Sequence, residues 1–200
     1  MWRIMITIGE RRDQDSREEA VIMKKNLIVY ASNTGNTEKV AVALKDNFDR
    51  YGWESTLKKL PEDYDVENPD FDFDEYDFCC VGSPVISELP LMQVRKVMWK
   101  KWPGRHKIVP GPKCGLVFCT FGGLHLGPKE ADPALKLLEV ELEHLLFKVI
   151  GTLAIPGSMG DSYNPDGYYG DTRGRPNAED IKSVAAFVDD IMKKLGENPT

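Results

Sequence analysis

Ser32-Asn33-Thr34-Gly35-Asn36-Thr37 gathers hydroxyls, amides and one glycine at a single point of the chain. The stretch lies between an apolar run, Leu27-Ile28-Val29-Tyr30-Ala31, and an amphipathic segment opening near Glu38, which makes it a strand-to-helix turn. Such a turn aims backbone N–H groups along the positive end of a helix, adds short side-chain donors and carries little bulk. The chemistry it suits is the holding of a phosphate or another oxyanion. There is no G-x-x-x-x-G-K-[ST] around Lys39 and no G-x-G-x-x-G, because Gly35 stands alone; this weakens nucleoside triphosphate and dinucleotide readings. Ser, Thr and Asn are also ordinary helix caps, so the stretch by itself leaves a plain helix N-terminus open.

Two further segments have the composition of ligand loops. Phe78-Cys79-Cys80-Val81 runs into Gly82-Ser83-Pro84 and a loop through Val85, Ile86, Ser87 and Glu88, and Gly115 to Cys119 runs into Thr120-Phe121-Gly122-Gly123. The two glycines of the latter allow positive φ and close backbone approach. Four cysteines (79, 80, 114 and 119) sit in or beside apolar runs with no Cys-x-x-Cys, and there are only three histidines; that spacing speaks against zinc or an iron–sulfur cluster and for small core residues. No metal site and no catalytic side chain is expected.

The elements that must position these loops are β-α repeats. Apolar strands are expected at Leu27–Ala31, Phe78–Val81, Gly115–Cys119 and Val149–Ile155, with a short edge strand over Glu54–Lys59. The helix from about Thr37 to Tyr51 carries Val40, Ala41, Leu44, Phe48 and Tyr51 on one stripe. A second helix starts around Pro90 with Leu91, Val94 and Met98 on one side. A third opens at Asp132-Pro133, with Leu135, Leu138, Leu142, Leu145 and Leu146 set against Glu139, Glu141 and Glu143. The last starts near Asn177 and carries Ile181, Val184, Ala185, Val188, Met192 and Leu195. The fold class is therefore α/β, a doubly wound five-stranded parallel sheet with right-handed crossovers. In such a sheet ligands bind beyond the carboxyl ends of the strands, where all three candidate loops fall.

Length and composition bound the rest. A 200-residue chain with 42% hydrophobic residues builds one substantial core. A formal charge of −6 disfavours general nucleic-acid binding, and no apolar run reaches the ~20 residues of a membrane span. Residues 1–25 read as an extension outside the fold, with Met23 a candidate start, and residues 26–200 as the domain. The layout near the N-terminus is not secretory, which gives a cytoplasmic expectation. An acidic stretch from Glu62 to Asp77 and a basic, aromatic one from Arg95 to Lys107 read as solvated surface and as lysine stems over tryptophans. The irregular stretch from Pro156 to Pro176 has the length of a functional loop.

Ser32 to Thr37 also resembles the flavodoxin signature, a strand followed by [Ser/Thr]-x-Thr-Gly-x-Thr opening the first helix. The resemblance extends through element order and loop placement from about Asn26 to Leu195. It implies strand order 2-1-3-4-5 and an FMN cofactor. The phosphate would lie on Ser32, Asn33, Thr34, Gly35, Asn36 and Thr37. Ser83, Pro84, Val85 and Ile86 would flank the isoalloxazine on one side, and Thr120, Phe121, Gly122 and Gly123 on the other. Electron-transfer flavodoxins usually carry an aromatic and a glycine in the second loop, where a peptide flip lets a carbonyl accept a hydrogen bond from the reduced ring; Val85-Ile86-Ser87-Glu88 has neither. An aromatic lid would come from Phe121, Tyr163, Tyr168 or Tyr169. The implied function is electron transfer between redox partners. Its alternatives are an NAD(P)H-dependent FMN quinone or flavin reductase and a flavin-free interaction module.

Overall fold

The computed structural model describes residues 24–102, 113–159 and 166–197. Five strands lie parallel: β1 (Lys25–Tyr30), β2 (Glu54–Lys59), β3 (Phe78–Ile86), β5 (Cys114–Phe121) and β6 (Lys148–Pro156), in the order β2-β1-β3-β5-β6. This is the doubly wound order expected from the sequence, with the switch between β1 and β3. A two-residue strand, β4 (Leu89–Pro90), pairs antiparallel with the end of β3.

Because strand side chains alternate faces, each strand feeds two cores. Leu27, Val29, Cys79, Val81, Val117 and Cys119 pack on one face, against α2 (Met92–Lys100) and α3 (Asp132–His144). Ile28, Tyr30, Cys80, Leu116 and Phe118 pack on the other, against α1 (Asn36–Asp49) and α4 (Ala178–Leu195). The stripe Val40-Leu44-Phe48 of α1 is wholly buried. Truncating Leu44 to alanine there would cost about 2–5 kcal/mol. α4 begins with a capping box, in which the Asn177 side chain accepts from the N–H groups of Glu179 and Asp180 while Asp180 accepts from Asn177 N–H.

Several boundaries differ from the sequence expectation. β3 does not stop at Val81. It continues through Gly82, Ser83 and Pro84 to Ile86, because extended β-branched residues pair with β4, and Gly82 is needed in mid-strand because the Phe118 ring lies where its Cβ would be, 2.0 Å away. Pro90 belongs to β4, so α2 starts at Met92. Lys25 is the first residue of β1 and pairs with Glu54. Asp132 is the first residue of α3 and provides no side-chain cap. Glu141, placed by periodicity on the solvent side of α3, is buried. Arg95 Nε (2.8 Å) and Trp99 Nε1 (3.1 Å) of α2 both donate to its Oε1. The acidic and basic stretches meet each other: Lys100 pairs with Glu67, and Lys101 with Asp72 at 3.1 Å. Arg105, Lys107 and Tyr163, and the extension apart from Lys24 and Lys25, lie outside the described residues.

Candidate functional site

The carboxyl ends of β1, β3, β5 and β6 surround an open cleft of about 280 Å³. Asn33, Thr34 and Asn36 form its floor. Pro84, Val85 and Ile86 of β3 line it beside Thr120, Phe121 and Gly122 at the end of the neighbouring strand β5, where Pro84 pairs with Thr120, and Gly157, Ser158 and Met159 after β6 complete the lining. Among the described residues no acidic or basic side chain lines it.

The floor is built by the turn after β1. The N–H of Ala31 donates to the Gly82 carbonyl at 3.1 Å, carrying the β1–β3 pairing one residue into the turn. Gly35 then takes φ 85° at the N-cap of α1 and, as a glycine, brings no side-chain cap of its own. A Cβ on Gly35 would meet nothing, so the glycine is there for its backbone and not for space. Ser32 Oγ accepts from the first-turn N–H of Glu38 at 3.2 Å, which leaves the N–H groups of Asn36 and Thr37 without an intrahelical partner at the positive end of the helix dipole.

Other residues of the motif hold loops together. Thr37, 1% exposed, shares a hydrogen bond of 2.8 Å with the buried hydroxyl of Thr120, joining the first loop to the third. Asn36 Nδ2 donates to the Ser158 carbonyl at 2.7 Å, joining the first loop to the segment after β6. Ser83 is buried; its Oγ accepts from Leu91 N–H and bonds to the Pro84 carbonyl, both at 2.8 Å. Gly123, at φ 66°, lies under the rings of Phe121 and Tyr169. Of the residues singled out in the sequence, Asn33, Thr34, Asn36, Pro84, Val85, Ile86, Thr120, Phe121 and Gly122 line the cleft, whereas Ser32, Gly35, Thr37, Ser83 and Gly123 stand behind it.

The aromatics are arranged as a buttress. Phe121 is buried and meets Tyr169 edge-on at 5.9 Å, and Tyr169 meets Tyr168 at 4.9 Å. Arg175 lies 5.0 Å from the Tyr169 ring centre and is paired with Asp180 at the start of α4. Burial, reinforced by Tyr168, pushes the Tyr169 phenol up. Burial would raise Glu130 as well, but the N–H groups of Leu126 and His125 outweigh it and hold that carboxyl below the usual range; those bonds, each 2.9 Å, order the chain after Gly123. Burial also pushes the Cys119 thiol to about 12, so it behaves as a core residue.

Gly157, Ser158 and Met159 were not singled out in the sequence, although they fall at the start of the Pro156–Pro176 stretch whose length suggested a functional loop. The available signal was topological, since Pro156 ends a central strand at the same edge as the three recognised loops.

No protein-family profile matches the sequence, and no curated protein does either. Solved structures do. Flavodoxin 2 from Bacillus cereus superimposes with a TM-score of 0.60 at 20% identity, over 85% of this chain and 99% of that one. A short-chain flavodoxin associated with a non-canonical PDU bacterial microcompartment gives 0.62 at 15% identity, over 86% and 99%. Rubredoxin oxygen:oxidoreductase from Desulfovibrio gigas gives 0.57 at 18% identity, over 86% of this chain and 36% of that larger one. With the strand order, the crossovers and the position of the cleft, these likenesses make the fold of this chain flavodoxin-like.

Proposed function

We propose that this chain binds FMN and serves as a redox flavoprotein that passes electrons between partners. The observation that carries the reading is the N-terminus of α1, whose N-cap Gly35 has no side chain to cover it, beside a cleft whose described lining carries no charged side chain. One end of such a site suits a phosphate and the other a flat ring. The residues present fit the cofactor: Gly35 gives the turn its backbone, and Asn33 and Thr34 are exposed beside it. Pro84, Val85, Ile86 and Gly122 add a non-polar lining for a flat ring.

When bound, the flavin supplies reversible uptake of electrons and protons. The protein binds, orients and limits access. The dipole and first-turn N–H groups of α1 would hold the phosphate. Pro84, Val85, Ile86, Phe121 and Met159 would flank the ring. Among the described residues no lining side chain is acidic or basic, so none of them would supply a proton. The electron donor would be a redox protein, or a nicotinamide or quinone at the mouth of the cleft.

A second reading, an NAD(P)H-dependent quinone or flavin reductase, is favoured by the β3–β4 hairpin, which pins the Val85-Ile86 backbone by pairing it with Pro90 and Leu89. The FMN reading is tested by titrating the protein with FMN and riboflavin and following flavin fluorescence. FMN should bind at least about tenfold more tightly, since charge-assisted hydrogen bonds contribute roughly 1.5–3 kcal/mol each. Equal affinity for the two, or no binding of either, would sink it.

A further inference from the structure

We propose that Met159 forms the outer wall of the ring subsite and determines how tightly the cleft takes a flat ring system, a step that rests on the flavin reading above. Gly122 supplies the platform. A Cβ at that position would lie 2.2 Å from Met159 Sδ and 2.8 Å from Cγ, so the thioether lies directly on the glycine, in space any other residue there would fill. Met159 is nonetheless 51% exposed, and it lines the cleft. A large apolar side chain seated on a glycine on one side and open to a non-polar slot on the other is completed by a planar apolar partner. Thioether–aromatic contacts are individually favourable.

The backbone that leads into Met159 is fixed by three hydrogen bonds. Gly157 N–H donates to the Phe121 carbonyl at 2.8 Å and Ser158 N–H to the Arg175 carbonyl at 2.9 Å, while the Ser158 carbonyl accepts from Asn36 at 2.7 Å. Gly157 is itself needed, because its Cβ would come within 2.9 Å of Asn36 Nδ2. Among the described residues the lining has one aromatic side chain, Phe121, which is 3% exposed and turned against Tyr169, so it offers no open face to stack on a ligand. Of the described lining residues, Met159 is the large, exposed apolar side chain placed to cover a ring from outside.

The test compares wild type, M159A and M159L by fluorescence titration with FMN and with riboflavin, which lacks the phosphate. M159A should weaken both ligands by the same factor, roughly threefold to tenfold from a loss of about 0.7–1.4 kcal/mol; M159L should recover most of it, and the visible spectrum of bound flavin should shift in M159A. A loss confined to FMN, or unchanged affinity and spectrum in M159A, overturns the assignment of Met159 while leaving the flavin reading intact. Failure of the wild type to bind either ligand overturns both. Met159 is half exposed, and a urea midpoint equal to wild type confirms that the variants are folded.

Discussion

Thr37 and Thr120 are far apart in sequence, yet their hydroxyls meet at 2.8 Å in a place shut off from water. A hydroxyl buried without a partner costs about 1–3 kcal/mol, so this pair locks the first loop to the third only while both members are present. Replacing Thr37 with valine keeps the shape and strands Thr120. T37V should therefore lower the unfolding free energy by about 1–3 kcal/mol, read as a lower urea midpoint with unchanged slope, and T37S should retain most of the stability. Thr34, exposed on the cleft floor, stands in contrast. T34A should leave the urea midpoint within about 0.5 kcal/mol of wild type while weakening FMN. The two threonines of one short motif thus have separable roles, one in joining loops and one in facing the ligand. A midpoint for T37V equal to wild type would show that the buried bond contributes nothing.

Among the elements, the β3–β4 hairpin departs most from a simple loop. Its turn residues Ser87 and Glu88 both adopt positive φ, 48° and 61°, the pattern of the tight turn whose twist matches paired strands. Left-handed conformations cost non-glycine residues about 1–2 kcal/mol each, and here the antiparallel pairing of Val85 with Pro90 and Ile86 with Leu89 holds them in place. Rotating the peptide after Val85 or Ile86 would break that ladder, and β-branched residues resist positive φ besides. The backbone carbonyl needed to stabilise a half-reduced flavin is therefore not free to turn toward it. In an anaerobic dithionite titration the bound flavin should pass from oxidised to fully reduced with little long-wavelength absorbance at the midpoint, the behaviour suited to two-electron exchange with a nicotinamide or quinone. A large, stable long-wavelength band at half reduction would refute the hairpin argument and favour single-electron carriage. The other elements are more conventional. The α2–α3 contact through Glu141, Arg95 and Trp99 is a buried ion pair of the kind whose disruption is costly, because removing Arg95 would leave Glu141 buried and uncompensated.

At the scale of the molecule, the parallel sheet and the convergence of loops at one edge were legible in the sequence because continuous apolar strands such as Leu27–Val29 and Leu116–Cys119, alternating with amphipathic helices, fit a sheet covered on both faces, while the strand order was implied by the flavodoxin resemblance. What was not legible depended on contacts between segments distant in sequence. Glu141 reads as solvent-facing until Arg95 and Trp99 cover it. Val85 and Ile86 read as a loop until Leu89 and Pro90 pair with them. The side-chain bonds of Asn36 to Ser158 and of Thr37 to Thr120, which tie the first loop to two others, have no signature in the motif itself. The acidic segment is largely surface, as its composition suggested, but the pairing of its Asp70, Glu67 and Asp72 with Lys58, Lys100 and Lys101 depends on residues outside it. All four carboxyl-edge loops share the cleft, so a ligand that fills it contacts segments from β1, β3, β5 and β6 at once and stabilises the folded chain as a unit. Such linkage contributes about 2.7 kcal/mol at a ligand concentration one hundred times the dissociation constant. For a chain of 200 residues that corresponds to a rise in Tm of about 5–10 °C. FMN should produce this rise in a thermal melt, riboflavin at the same concentration a smaller one, and inorganic phosphate alone little. A melting curve indifferent to FMN at every concentration would favour a flavin-free interaction module built on the same fold, with the helix N-terminus and the cleft left to some other small oxyanion.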